Sequence, residues 1–161
     1  MELLWKNLLF TLVVPGAVGV YIPRMLLADR AVTSQGLLFA AGLVLLGMGG
    51  AIYAWCVWDF AAFGRGTPLP LDAPRKLVAR GLYRFTRNPM YIGVLCVILA
   101  WALLYAQGGL LVYLAVIGLC FHLFVVFSEE PRLRRAFGAE YVTYCSRVPR
   151  WLPRLPSFRA G

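Results

Sequence analysis

The sequence predicts an all-α membrane protein, with about four transmembrane helices followed by an amphipathic helix on the cytoplasmic face. Three observations predict this class. The 161 residues are 61% hydrophobic with a mean hydropathy of +0.73, more apolar surface than one small soluble core can hide. Four apolar runs, 8–28, 36–58, 90–106 and 110–127, approach the ~20 residues that cross hydrocarbon as a helix. Those runs are continuous rather than alternating, so they read as helices that satisfy their own backbone bonds and not as barrel strands.

Run one contains Pro15 and Pro23 and no small-residue cleavage site before the next polar stretch, so it is expected to stay as a helix rather than be removed as a signal peptide. Run two carries Gly42, Gly47, Gly49 and Gly50, which let either a neighbouring helix or a ligand approach the backbone. At its end Asp59 sits among Trp55, Trp58 and Phe60, an aromatic belt with one acid that is either functional or wetted by headgroups. In the loop 64–89, the stretch 64–80 holds Pro68, Pro70 and Pro74 and is expected to be extended rather than helical. It reads as a basic topogenic loop or as a ligand lid. Run three is short and borders the interface. After run four, Ser128 is expected to cap a new helix with Glu129, Glu130 and Pro131 in its first turn. Leu133, Phe137, Tyr141, Tyr144 and Val148 then recur at three or four residues, an amphipathic helix ended by Pro149 and Pro153. The whole, residues 1–161, is expected to form a single membrane-embedded domain with a polar tail over 128–161.

The net charge of +9 raises the question of nucleic acid, but the basic residues flank apolar runs instead of lining a groove with interleaved aromatics. Nucleic-acid binding is therefore set aside, and the bilayer is the expected partner. Lys6, the loop arginines and the tail arginines fall on one side of a four-helix path. The other side has little beyond Arg30, so both termini are expected in the cytoplasm. The compact, multi-pass pattern without a signal suggests a bacterial inner membrane. Cys56, Cys96, Cys120 and Cys145 show no metal-ligand or disulfide spacing, and no metal is expected.

Two polar clusters end apolar runs and face each other across one hairpin: 81–93 and 128–131. His122 precedes Glu129 by seven residues, which puts both on nearly one face of a continuous helix. Glu129 and Glu130 beside Arg84 and Arg87 suit a zwitterionic ligand, with carboxylates for hydroxyls or an amino group and arginines for a carboxylate. A solvated charge cluster has the same composition.

The elements Gly81-x-Tyr83, Arg87-Asn88-Pro89-x-Tyr91-x-Gly93, Glu129-Glu130-x-x-Leu133, Phe137-Gly138-x-x-Tyr141-x-x-Tyr144 and Val148-Pro149 occur in that order. Over residues 60–153 this resembles the isoprenylcysteine carboxyl methyltransferase and phospholipid methyltransferase family of integral membrane enzymes. The resemblance implies S-adenosylmethionine as methyl donor and a lipid-like or small hydrophobic acceptor, a carboxylate or an amine, arriving from the bilayer. By position it implies cofactor contacts at Arg75, Lys76, Leu77, Val78, Tyr83, Asn88, Pro89, Met90, Tyr91 and Glu130. Glu129 falls at the acceptor side, with Arg87 and His122 as further catalytic candidates. Gly47-Met48-Gly49 is a candidate for the Gly-x-Gly element of the phospholipid enzymes. Glu130→Ala is expected to weaken cofactor binding and spare the fold.

The chain departs from the prenylcysteine enzymes at two positions. Asn88 stands where they have histidine; it still donates a hydrogen bond but carries no charge. Val125 stands where they have an arginine for the substrate carboxylate, which argues against prenylcysteine as acceptor. Two other classes compete. A membrane reductase using NADPH shares a distantly similar core, but no Gly-x-Gly-x-x-Gly follows a strand. A four-helix transporter would need an acid in the middle of a span, and Asp59 lies near an end.

Overall fold

The computed structural model describes residues 15–28, 30–60, 62 and 77–153. Residues 64–76, Arg75 and Lys76 among them, lie outside the described residues. The all-α expectation is met: among the described residues there is no strand. Helix α1, Ala17–Leu27, opens with a π turn over Ala17–Tyr21. It is followed by α2, Gly36–Asp59, and by a single 3-10 turn, Gly81–Arg84. Then come α3, Pro89–Leu104, and α4, Gly108–Phe124. A π segment, Val125–Glu129, leads without a break into α5, Glu130–Arg147.

Two of these are long and apolar enough to cross a membrane: α2, and the helix from Gly108, whose apolar part ends at Phe127 and which runs on to Arg147 through a kink at Gly138. At 16 residues α3 is about 24 Å long, shorter than the hydrocarbon core. Side chains such as Leu37, Val44, Val112 and Leu119 point outward from α2 and α4. An outward apolar face of this extent belongs against lipid.

Because lipid is as apolar as the helices, their contact depends on how closely the backbones approach. The tightest pair is α2 with α3, and glycine sets the distance. A Cβ on Gly49 would lie 2.6 Å from the Gly93 carbonyl oxygen, and one on Gly93 would lie 2.9 Å from that of Gly49. Seven residues before Gly49, Gly42 makes room for Leu104. The second-helix glycines thus divide: Gly42 and Gly49 serve packing, whereas a Cβ on Gly47 or Gly50 meets nothing within 4 Å. Gly49, half of the candidate Gly-x-Gly element, is committed to α3.

Helix α1 is docked by two side chains on the carbonyls of its π turn. Trp101 Nε1 donates to Gly19 O at 3.0 Å and Tyr113 Oη to Val18 O at 2.9 Å. At the end remote from the polar clusters, Ser34 and Thr33 hydroxyls donate to the Leu104 and Tyr105 carbonyls, both at 2.8 Å, satisfying acceptors that the end of α3 leaves open. Arg30 reaches Gln107 across the same end.

The expected helix start at Ser128 is not there. Residues 125–129 keep helical dihedrals, and the Glu130 N–H bonds back five residues to Val125 O, the widened π pattern. Pro131, which lacks an N–H, therefore falls in the first turn of α5 without ending the helix. The interruption comes later, at Gly138, whose φ of 51° is left-handed.

Gly49→Ala should destabilise the protein by about 1–3 kcal/mol by forcing α2 from α3. Gly47→Ala should be neutral or stabilising by up to ~1 kcal/mol, since alanine is the better helix former and the space is open. Unfolding titrations of both variants in the same micelle check the difference.

Candidate functional site

Three segments meet at one end of α2, α3 and α4: the stretch from the 3-10 turn to Asn88, the π segment with the start of α5, and residues 148–151 after α5. Gly81 starts the 3-10 turn with φ +54°, and a side chain there would collide with the carboxylate of Asp59. Asp59 is only 2% exposed, and its Oδ1 lies 3.8 Å from Arg80 Nε. The acid at the end of α2 is thus buried against the loop rather than wetted by headgroups. The turn then brings Tyr83 onto Cys56 and Val78, with Met90 and Phe60 packed around them. Tyr83 meets Phe60 edge to face.

Residues 148–151 close over the 86–88 stretch by main-chain and side-chain bonds. Arg87 N donates to Pro149 O at 2.9 Å, Asn88 Nδ2 to Arg150 O at 3.0 Å, and the Thr86 hydroxyl shares Arg150 O and Trp151 O at 3.1 and 3.0 Å. Tyr144 Oη donates to Tyr83 O at 2.8 Å. Asn88, which by sequence could reach a cofactor carboxylate, spends an amide proton on this strap.

Glu130 is the electrostatic centre of the assembly. It is 6% exposed and bridges two cations from different segments: Arg87 Nη1 at 3.0 Å, and Arg150 through Nε at 2.7 Å and Nη2 at 3.1 Å. Arg87 also donates to Cys145 Sγ. Burial opposes ionisation of Glu130, which lies beyond the apolar run. The Arg150 hydrogen bond and the charges of Arg87, Arg150 and Arg134 outweigh it and hold the carboxyl below its usual range. Such a carboxylate holds three segments together, so removing it leaves two arginines without their shared counter-ion. The expectation that Glu130→Ala spares the fold does not suit this environment.

Glu129 faces elsewhere. It is half-buried, and its Oε2 accepts from Tyr91 Oη at 2.9 Å. Tyr91 in turn packs on Phe121, with ring centres 4.7 Å apart, and on Trp151 at 6.4 Å. The residue that shares Tyr91 with Glu129 is therefore Phe121, eight positions earlier, and not His122 at seven. The π segment accommodates the additional residue between them and shifts the register. His122 is tied to the cluster one side chain further out: Trp151 Nε1 donates to its Nδ1 at 3.0 Å, leaving Nε2 as the proton-bearing nitrogen of the neutral ring.

Of the sequence candidates, Tyr91, Glu129 and His122 come together around Trp151, while Arg87, Asn88 and Glu130 come together around Arg150. Val78, Tyr83 and Met90 form a third, apolar group; Pro89 is buried at the start of α3, and Leu77 is half-buried. Arg84 is exposed and joins none of them through the contacts above. Sequence reasoning missed Arg150 and Trp151. Arg150 was one tail arginine among several, and Trp151 follows the quoted Val148-Pro149 motif. The available signal was two adjacent acids with more cationic partners in the tail than topology needs. Val125, in place of the arginine of the prenylcysteine enzymes, is 1% exposed.

A helical membrane protein with a carboxylate, aromatic and arginine site at the end of its spans defines the class. A family model described as phospholipid methyltransferase matches residues 37–140, so the chain belongs to that family, within the isoprenylcysteine carboxyl methyltransferase-like membrane methyltransferases. The match runs from α2 into α5 and stops short of the 148–151 strap. No solved structure matches the chain.

Glu130→Gln should lower stability by about 1.5–3 kcal/mol, the loss of hydrogen bonds to charged groups. A carboxyl with a lowered folded pKa stabilises above its unfolded value of roughly 4.3, and this contribution is lost as pH falls through the folded value. The gap in unfolding midpoint between wild type and Glu130→Gln should therefore be full at neutral pH and close in acid.

Proposed function

We propose that this membrane methyltransferase transfers a methyl group from S-adenosylmethionine to the amine of a lipid-like acceptor at the membrane–cytoplasm interface. The observation that carries this reading is the Glu129–Tyr91 pair. A half-buried carboxylate with one hydrogen bond from tyrosine has lone pairs left for a ligand, and it lies among aromatic faces where the apolar run ends.

The residues suit the cofactor. Tyr91 and Trp151 offer π faces to a cation, and the Arg87 guanidinium keeps a buried Nε that has no hydrogen-bond partner among the described residues. Leu77, Val78, Tyr83, Pro89 and Met90 supply an apolar wall beside them, and Asn88 and Glu130 hold the polar one in shape. Arg75 and Lys76, which the family resemblance also implies for the cofactor, lie outside the described residues. When bound, the cofactor supplies an electrophilic methyl group on a sulfonium. The protein's task is then to exclude water, orient the acceptor and remove a proton, and positioning alone is worth ~7–11 kcal/mol in well-oriented reactions.

Glu129 is the base for the acceptor amine. Tyr91 fixes its orientation, and His122, whose Nδ1 accepts from Trp151, offers an Nε2–H donor rather than a second base. Buried Val125 offers no counter-ion for an acceptor carboxylate, which favours an amine over a prenylcysteine-like acid. The basic character of this end supports a cytoplasmic orientation, with both termini on that side.

Calorimetry in detergent and in lipid should show saturable binding of S-adenosylmethionine and S-adenosylhomocysteine and none of NADPH. Glu129→Gln should lower methyl transfer by about 10²–10⁴-fold, the usual loss of a general base, and leave cofactor affinity nearly unchanged. NADPH binding without S-adenosylmethionine binding would favour the reductase and sink the proposal.

A further inference from the structure

The cations at the start of α5 are sorted between the two glutamates. Arg87 and Arg150 contact Glu130, and the charge of Arg134 also acts on it. Arg135 Nε donates to Pro131 O at 3.3 Å. Arg132 has no part in that clamp; its charge falls on Glu129. We propose that Arg132 is a positioning residue for Glu129, holding this carboxylate ionised beside Tyr91 so that it can take the acceptor's proton, an inference that rests on the methyltransferase reading above.

Helix geometry makes the two side chains neighbours. Glu129 closes the π segment and Glu130 opens α5, both with helical dihedrals, so Arg132 follows Glu129 by three residues on one continuous helix. Side chains so spaced share a face, with Cβ atoms about 5–6 Å apart. Both residues are half-buried. The charge of Arg132 reaches the Glu129 carboxylate and also the Tyr91 hydroxyl bonded to it at 2.9 Å, which puts the guanidinium on the side of the helix that faces α3.

Glu129 stands past the apolar run, which ends at Phe127. The titratable groups around it are Tyr91 from α3, Tyr83 from the 3-10 turn, Glu130 and Arg132 on its own helix and, across Trp151, His122 from α4. Burial raises the Glu129 carboxyl above its ordinary range; the Tyr91 hydrogen bond and then the Arg132 charge oppose this, and the neighbouring Glu130 adds to it. Of the two groups that favour the anion, Arg132 alone is charged. An ionised Glu129 takes one proton from the acceptor ammonium and becomes neutral. The nitrogen lone pair is then free for the methyl carbon, and the pair of the broken S–C bond stays on sulfur. A protonated Glu129 cannot accept that proton. Removing Arg132 raises the carboxyl further, so the active form is lost at a higher pH and regained as pH rises.

The test uses the full chain in dioleoylphosphatidylcholine nanodiscs and compares wild type with Arg132→Gln, Arg132→Lys and Arg135→Gln. The last removes the same charge one turn further from Glu129. Infrared difference spectra, with Glu129→Gln as the blank, follow protonation of the Glu129 carboxyl itself. Methyl transfer to a sixteen-carbon alkylamine is measured over the same pH range; the titration of the amine is common to all variants. In Arg132→Gln, Glu129 should protonate at higher pH than in wild type. Transfer should fall about tenfold on the acid side, the scale of one opposite charge beside a carboxylate, and recover as pH is raised. Arg132→Lys should restore both properties, Arg135→Gln should match wild type, and affinity for S-adenosylhomocysteine should be equal in all four. An unmoved Glu129 titration in Arg132→Gln would overturn the proposal, as would a loss of rate that high pH does not recover or that lysine does not rescue. Weakened S-adenosylhomocysteine binding in Arg132→Gln would also overturn it, by placing Arg132 on the ligand instead. If wild type itself bound no S-adenosylhomocysteine, the methyltransferase reading would fall, while the infrared titration would still decide whether Arg132 governs Glu129.

Discussion

The carboxylate of Glu130 is shared by Arg87 and Arg150, and the geometry of the polar end follows from that sharing. Three stretches of chain that have no apolar reason to meet are drawn to one buried charge. The loop before α3 arrives with Arg87, the long helix with Glu130, and the strap after α5 with Arg150. Once they have met, the main-chain N–H of Arg87 and the hydroxyl of Thr86 fix the strap, and the strap delivers Trp151 to Tyr91 and His122. Charge assembles the support, and aromatic packing shapes the surface that it carries.

The division of labour between the two glutamates has a physical basis. A carboxylate held by two guanidinium groups is stable and ionised but has little capacity left for a ligand. Its neighbour, bonded to one tyrosine hydroxyl, retains that capacity. Adjacent residues on one helix thus differ, one committed to structure and the other left with capacity for a ligand, and the glycine seam of α2 and α3 sets where Tyr91 stands to meet the second of them.

How much of this could be read from the chain varies by residue. The all-helical class and the spanning character of 36–59 were legible because lipid admits few alternatives to a continuous apolar helix. The motif residues Tyr91, Glu129 and Glu130 were found because their types and order carry chemistry. The roles of Gly47 and Gly49 were not separable, since only the approach of Gly93 distinguishes two glycines one residue apart. Ser128 followed by two acids and a proline has the composition of a helix start, yet the segment continues the helix as a π turn. Arg150 and Trp151 stayed hidden because their partners, Glu130 and His122, are 20 and 29 positions away.

The π turn over Val125–Glu129 separates two kinds of information in one helix. Residues before it are rotated to suit the bilayer and the neighbouring spans; residues after it are rotated to suit the arginines. The phase between the halves is stored in the number of residues in the turn rather than in what they are. Substitution can recolour the segment and leave both carboxylates facing as they do, whereas the gain or loss of a single residue turns everything beyond it by about 100°. Along this stretch the protein is constrained in length more than in composition.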